Sequence, residues 1–271
     1  MQPIIINDNT LYHANCFDAF PLVGSGTVDL VFADLPYGTT ACKWDTPLPL
    51  DLLWAEYKRV LKPNGVVVLT GSQPFTSRLV MSNLEWFRYE WIWDKVNAAN
   101  FANIKNRPLK VHEDVVVFSK SPNFTFNPIR VMRTEASLKR DPPGSVRTFN
   151  RVDKAIEHYG SLKTTPKQTK SIPSDGTKHP IDIIRFSSIE KDRYNSDTKH
   201  PTKKPVALLA YLIKTYTNEG DLVLDNTMGS GTTGVAATRL YRKFIGMEMD
   251  ETYFNRAVKR IRKELGVFAA G

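Results

Sequence analysis

The sequence predicts a doubly wound α/β fold interrupted by a basic insertion, and three observations carry that prediction. Short apolar runs of the kind that fill buried parallel strands alternate with amphipathic helical patterns. Two motifs of chemical interest directly follow such runs, where an open α/β sheet binds its ligands. Between the two halves lies a stretch of different texture: residues 120–204 hold 18 Lys and Arg against nine Asp and Glu, whereas the rest of the chain holds 19 of each.

In chain order, the strand runs are VDLVFA at 28–33, VVVLT at 66–70, VVVF at 115–118, LVL at 222–224 and FIG at 244–246. Leu53, Tyr57, Val60 and Leu61 repeat at helical spacing and stop at Lys62-Pro63-Asn64-Gly65. Pro205 opens a second helix through Leu208, Leu209, Leu212 and Ile213, and a third runs through Phe254, Ala257, Val258, Ile261 and Leu265. Trp91-Ile92-Trp93-Asp94-Lys95 alternates as a half-buried strand does, which favours core packing over base stacking. The central third scatters Pro122, Pro128, Pro142, Pro143, Pro166, Pro173, Pro180 and Pro201 among Lys, Ser and Thr. The expected organisation is a first half over 1–119, the basic insertion over 120–198 and a second half over 199–271.

At 271 residues, 41% hydrophobic and 24% charged, the composition excludes a disordered or collagen-like chain. The net charge of +9 points to a polyanionic partner, nucleic acid or an acidic membrane surface. Cys16 and Cys42 are too few for a disulfide scaffold and lack metal-ligand spacing, which fits a reducing cytoplasm and no metal site. No apolar run approaches membrane-spanning length, and the N-terminus lacks the pattern of a secretion signal.

The first motif, Asp34-Leu35-Pro36-Tyr37-Gly38, closes the VDLVFA run. Its chemistry suits a planar base bearing an amine. The Asp34 carboxylate and Leu35 carbonyl accept from an exocyclic NH2, Pro36 fixes the turn, and Tyr37 stacks on the ring. A plain turn with a surface tyrosine is the bland alternative. The second motif, Asp225-Asn226-Thr227-Met228-Gly229-Ser230-Gly231-Thr232-Thr233, follows LVL and opens a helix, so its glycines allow close backbone approach and the helix start offers free N–H groups. Glu248 lies 23 residues beyond Asp225 at the end of the next strand, an offset that suits an acid binding the ribose hydroxyls of an adenosine cofactor.

In order and content these stretches, with His200-Pro201-Thr202-Lys203-Lys204-Pro205 between them, resemble the permuted, β-group S-adenosylmethionine-dependent DNA amino-methyltransferases, which modify N6 of adenine or N4 of cytosine. That family looks like D-P-P-Y, a target-recognition insertion, H-P-x-x-K-P, then D-P-F-x-G-S-G-T-T. The resemblance covers roughly residues 1–118 and 199–265, and it implies a Rossmann-like methyltransferase sheet, circularly permuted, with a basic target-recognition insertion. It assigns catalysis to Asp34, Leu35, Pro36 and Tyr37. It assigns S-adenosylmethionine binding to Asn15, Asp34, Lys204, Asp225, Thr227, Gly229, Ser230, Gly231, Thr232 and Glu248. His200, Thr202 and Lys204 match the motif ahead of the first cofactor helix, where Lys204 faces the methionine carboxylate, contacts phosphate or simply starts a solvated helix. Asn15 stands where the family often has an acid near the cofactor adenine, or is an ordinary capping residue.

Three departures from the pattern are visible: Leu35 for a proline, Asn226 for a proline and Thr227 for a phenylalanine expected to pack on the cofactor. For DNA, the segment after the first motif, with Lys43 and Trp44, closes over a flipped base or packs as a loop, and Arg130, Arg133, Lys139 and Arg140 of the insertion contact the backbone. Neither cysteine follows a proline, so the reading is direct transfer to an exocyclic nitrogen of a flipped adenine in duplex DNA, with no covalent enzyme intermediate. An aspartate in the first motif favours N6-adenine. The alternatives are an N4-cytosine enzyme, an RNA methyltransferase and a silent DNA-binding protein on the same fold. The resemblance implies a bacterial cell or a phage-infected host as the setting and restriction-modification as the associated process, leaving open whether a nuclease accompanies the enzyme; a homodimer is compatible with it.

Two measurements test this reading. Duplex-DNA affinity falls steeply and log-linearly with salt because the basic insertion releases phosphate counterions; a flat affinity from low to moderate salt contradicts it. Calorimetry gives an S-adenosylmethionine affinity weaker than submicromolar, because Thr227 removes the aromatic contact.

Overall fold

The structure is a computed structural model, and it describes residues 2–38, 45–99, 104–145, 174–189 and 204–266. The chain divides into two compact units, residues 1–127 with 181–271, and residues 128–180. Lys43, Trp44, His200 and Thr202 lie outside the described residues.

The larger unit begins with β1 (Ile4–Ile6), β2 (Asn9–His13), α1 (Cys16–Ala19), β3 (Val28–Ala33), α2 (Leu50–Val60) and β4 (Leu61–Gly71). It continues with α3 (Phe75–Ser82), β5 (Phe87–Ala99) and β6 (Lys110–Phe118). The smaller unit supplies β7 (Val131–Met132), α4 (Glu135–Arg140) and β8 (Thr177–Lys178). The larger unit then resumes with β9 (Ile183–Arg185), α5 (Val206–Tyr216), β10 (Leu222–Asp225), α6 (Thr232–Arg239), β11 (Lys243–Glu248) and α7 (Glu251–Glu264).

Among the described residues one nine-stranded sheet runs in the order β1-β2-β11-β10-β3-β4-β6-β5-β9. The neighbours from β2 to β4 are parallel, while β6 is antiparallel to both β4 and β5. From β3 the chain passes through α2 to β4 on one side. From β10 it passes through α6 to β11 on the other. The carboxyl ends of β3 and β10, paired at Val223↔Leu30 and Leu224↔Val31, therefore flank a topological switch point, where the diverging connections leave a crevice.

Period-two alternation explains how the sheet fills both faces. Leu30 and Phe32 of β3 and Val66 and Val68 of β4 join α5, α6 and α7 in one core, while Val31, Ala33, Val67 and Leu69 join α1, α2 and α3 in the other. Val28 sits with the second group because the β3–β4 register shifts between Val28 and Leu30. The helices form where the apolar spacing predicts, with one correction: Leu61, the last of the α2 series, takes extended backbone and opens β4, which also contains the expected stop at Lys62-Pro63-Asn64-Gly65. Leu53, Tyr57 and Val60 are buried on α2, which ends at Val60 ahead of Lys62-Pro63. Leu208, Leu209, Leu212 and Ile213 are buried on α5, whose N-cap is Pro205. Asp250 caps α7 by accepting from the Tyr253 N–H at 2.9 Å.

Trp91 and Trp93 are core residues, 4% and 2% exposed. Their indole N–H groups donate to the Tyr216 hydroxyl and the Phe186 carbonyl, which satisfies the polar end of each ring. In the smaller unit β7 pairs antiparallel with β8. Arg133 there is internally engaged, 2.8 Å from Asp141; Arg130 is exposed and pairs with Asp175 at 3.3 Å, and Lys139 and Arg140 are exposed. Among the described residues no helix is long and apolar enough to cross a membrane.

Candidate active site at the strand switch point

A cavity of about 670 Å³ opens at the carboxyl ends of β2, β3, β10 and β11. Asn15, Asp34, Leu35, Pro36, Tyr37, Lys204, Asp225, Thr227, Gly229, Ser230, Thr232 and Glu248 all line it. The two motifs, 191 residues apart in sequence from Asp34 to Asp225, thus share one wall because β3 and β10 are adjacent. They also touch directly, for the Thr227 hydroxyl donates to the Asp34 carbonyl at 3.2 Å.

Asp34 follows β3 without a further ladder partner for its side chain, and the surrounding elements supply donors instead. The Thr70 hydroxyl, from the end of β4, donates to Oδ1 at 2.5 Å, and the Tyr37 hydroxyl donates to the same oxygen at 2.9 Å. Lys204 Nζ donates to Oδ2 at 2.6 Å. Burial, then the Asp34 charge, pushes the Tyr37 phenol well above its ordinary range, so it is a neutral donor. The Tyr37 ring stacks on Phe75 of α3, with centroids 5.1 Å apart. One face of that ring is therefore occupied within the protein. After the turn, Gly38 N–H donates to Asp45 at 2.9 Å, which ties the two sides of the following segment together.

Lys204 is 8% exposed, and burial opposes its charge; the carboxylates of Asp34 and Glu113 outweigh that cost and hold the ammonium well above its ordinary range. Glu113 of β6 lies 3.2 Å from Lys204 and 3.0 Å from Lys95 of β5. Burial opposes the Glu113 carboxylate too, but Lys204 and then Lys95 keep it below the usual range. The ammonium of Lys204 is therefore engaged by Asp34 and Glu113.

The glycine turn is built for close approach. Gly231 adopts φ +76° at the start of α6, and a Cβ there would lie 2.7 Å from the Ala257 Cβ. A side chain would be strained by the backbone and would collide with α7. Arg260, 6% exposed on α7, donates to the Ser230 carbonyl at 2.6 Å and to the Thr232 hydroxyl at 3.0 Å, which braces the turn from behind. Tyr57 of α2 donates to Asn226 at 2.8 Å from the other side. Glu248 accepts from the Gly229 and Asp250 N–H groups at 2.9 and 2.7 Å, and burial raises its pKa. Asn15 caps α1 by accepting from Phe17 N–H at 3.0 Å while also facing the cavity.

Asp225 is 3% exposed at the end of β10. The Thr233 hydroxyl and Thr227 N–H donate to it at 2.5 and 3.0 Å, yet burial dominates and lifts its pKa to about 7. The Cys16 thiol is likewise raised by burial, to about 11, and is no thiolate at neutral pH. Thr70, Phe75, Glu113, Tyr57 and Arg260 were not legible as site residues. Thr70 and Glu113 sit inside or beside apolar strand runs that carry no motif, and Arg260 differs from other helix cations only in its burial.

A cavity of this volume at the switch point, with an acid at one strand end and a glycine turn, helix start and second-strand acid at the other, fits a ligand of nucleoside-cofactor size. Fold and site together define the methyltransferase class of α/β enzymes. The chain belongs to the DNA methylase family of N6/N4 methyltransferases, whose profile matches residues 28–259. It is thus a DNA methyltransferase. It is 29% identical to the Type II methyltransferase M1.MboII of Moraxella bovis over 265 residues, covering 92% of this chain and 95% of the relative. It is also 29% identical to the DNA adenine methyltransferase YhdJ of Escherichia coli K12, covering 93% and 82%. Among solved structures it matches M1.HpyAVI in complex with SAM, at 26% identity and TM-score 0.60 over 93% of this chain and 98% of that one. The cytosine-N4-specific PvuII DNA methyltransferase shares the fold, at TM-score 0.65 and 16% identity over 96% and 90%.

The elevated Asp225 pKa makes stability depend on pH. An unfolded aspartate loses its proton near 3.8, whereas the folded chain keeps it to about 7, so the folded state binds more protons across that window. Unfolding free energy contributed at this position therefore falls as pH rises from about 4 to about 7. Urea unfolding at a series of pH values shows that decline, and Asp225→Asn flattens it; an unchanged slope in the variant refutes the assignment.

Proposed function

We propose that the chain transfers a methyl group from S-adenosylmethionine to N6 of adenine in duplex DNA. The observation that carries the reading is the Asp34 carboxylate, fixed by Thr70, Tyr37 and Lys204 at the wall of the cavity and joined through its carbonyl to Thr227 of the glycine turn. The family membership, the SAM complex of M1.HpyAVI and the name of YhdJ as a DNA adenine methyltransferase support it. The aspartate in the first motif favours adenine over cytosine.

When bound, the cofactor supplies an electrophilic methyl on a sulfonium, so that the amine nitrogen gains an N–CH3 bond as the S–CH3 bond breaks and then releases a proton to solvent. The chain's own task is to orient that amine. Its lone pair is delocalised into the ring, and hydrogen bonds from both N–H groups to the Asp34 carboxylate and the Leu35 carbonyl free it along the line of attack. Pro36 holds the carbonyl in place, and the open side of Tyr37 receives the flipped ring. Asn15, Asp225, Thr227, Gly229, Ser230, Gly231, Thr232 and Glu248 hold the cofactor. The exposed Arg130, Lys139 and Arg140 contact the DNA backbone, while Arg133 shapes the unit that presents them. The organisms of the relatives support a bacterial setting, where the enzyme meets DNA in the cytoplasm.

The test is incubation of the protein with labelled S-adenosylmethionine and unmethylated DNA, followed by digestion to nucleosides. N6-methyladenine appears with the wild type and is lost with Asp34→Ala. Labelled N4-methylcytosine overturns the choice of base, and label in RNA alone overturns the DNA substrate.

A further inference from the structure

We infer that Glu113 is a positioning residue for methyl transfer, acting on Asp34 through Lys204. The inference rests on reading Asp34 as the acceptor of the target amine. The four charges form an alternating line across two strands and two connecting segments: Asp34 after β3, Lys204 at 2.6 Å ahead of α5, Glu113 of β6 at 3.2 Å from Lys204, and Lys95 of β5 at 3.0 Å from Glu113. Lys204 lies between the two acids with the Trp93 ring beneath it, its Nζ 5.9 Å from the ring centroid. Its ammonium sits nearer Asp34, at 2.6 Å, with Glu113 at 3.2 Å on its other side.

The physical need for Glu113 follows from the direction of charge movement. The amine nitrogen becomes positive as it gains the methyl group, so a cation clamped on Asp34 opposes the reaction and also occupies the oxygen that the amine N–H requires. With Glu113 present, Lys204 is shared, and Asp34 keeps both negative charge and acceptor capacity. Without Glu113 the ammonium falls wholly on Asp34, and the site gains one net positive charge in a partly desolvated place where such charge is costly. Lys204 in turn keeps two carboxylates apart that would otherwise repel across the same small space. The side chains of Lys204 and Glu113 are only 8% and 17% exposed, so water screens this exchange weakly.

The experiment is a double-mutant cycle on the full chain. Glu113→Gln preserves the shape of the side chain, and it lowers the single-turnover methylation rate about tenfold while KM for DNA and for S-adenosylmethionine stays within about twofold. In a Lys204→Met background the same replacement changes the rate by less than about twofold, since the cation it controls is gone. Urea midpoints of the four proteins, measured without cofactor or DNA, are likewise non-additive. Glu113→Asp keeps the charge and recovers most of the rate, which separates loss of charge from a damaged fold. An unchanged rate in Glu113→Gln, or an equal loss in both backgrounds, overturns the inference. Asp34→Asn measured alongside distinguishes the two levels: if it stays active the reading of Asp34 fails, and if it is inactive while Glu113→Gln runs at full rate only the role of Glu113 fails.

Discussion

A carboxylate drawn out of water must be given donors, and the architecture around this cavity is organised by that requirement. Asp34 and Asp225 end neighbouring parallel strands, where the ladder that satisfied the backbone stops and the side chains enter a crevice. Each acid is met by groups from distant parts of the chain. Asp34 takes a hydroxyl from β4, a phenol from its own turn and an ammonium from the residue ahead of α5. Asp225 takes a hydroxyl from the first turn of α6 and a backbone N–H. At Asp225 the neutral donors offset only part of the cost of burial, and its pKa rises to about 7.

The two acids are treated differently, and the difference suits their places. Asp34 is half-buried and has a charged partner, so it faces the cavity as an acceptor with capacity to spare. Asp225 is almost wholly enclosed and has only neutral donors, which is why its pKa climbs to about 7. It acts as an anchor for the glycine turn, in company with Arg260 behind the turn and Tyr57 beside it. The turn is thus held on three sides by groups outside itself, and its rigidity does not depend on the glycines that give it its shape.

Much of the fold was legible because its determinants are local. The run at 28–33 is β3 to the residue, the helical spacing from Leu53 to Leu61 falls on α2 except for Leu61, which opens β4, and Pro205 marks the start of α5. The short strands β1 and β2 and the helix α1 carry no such signal, since three to five residues leave too little periodicity to distinguish from a loop. The tryptophans of β5 were legible as core residues from alternation alone, and the structure shows both indoles buried and hydrogen-bonded.

The sequence by itself determined the two motifs, the acid at the end of β11 and the apolar periods that make strands and helices, because each is written in residues near one another in the chain. Only the tertiary structure decided that Thr70, Glu113 and Lys95 belong to the same site as Asp34. A hydroxyl in a strand and a glutamate beside an apolar run have no local signature. Their role arises from pairing β3 with β4, β4 with β6 and β6 with β5, which brings Thr70 to Asp34, Glu113 to Lys204 and Lys95 to Glu113. Charge interactions act through space over a few ångströms, and the sequence records distance only along the chain.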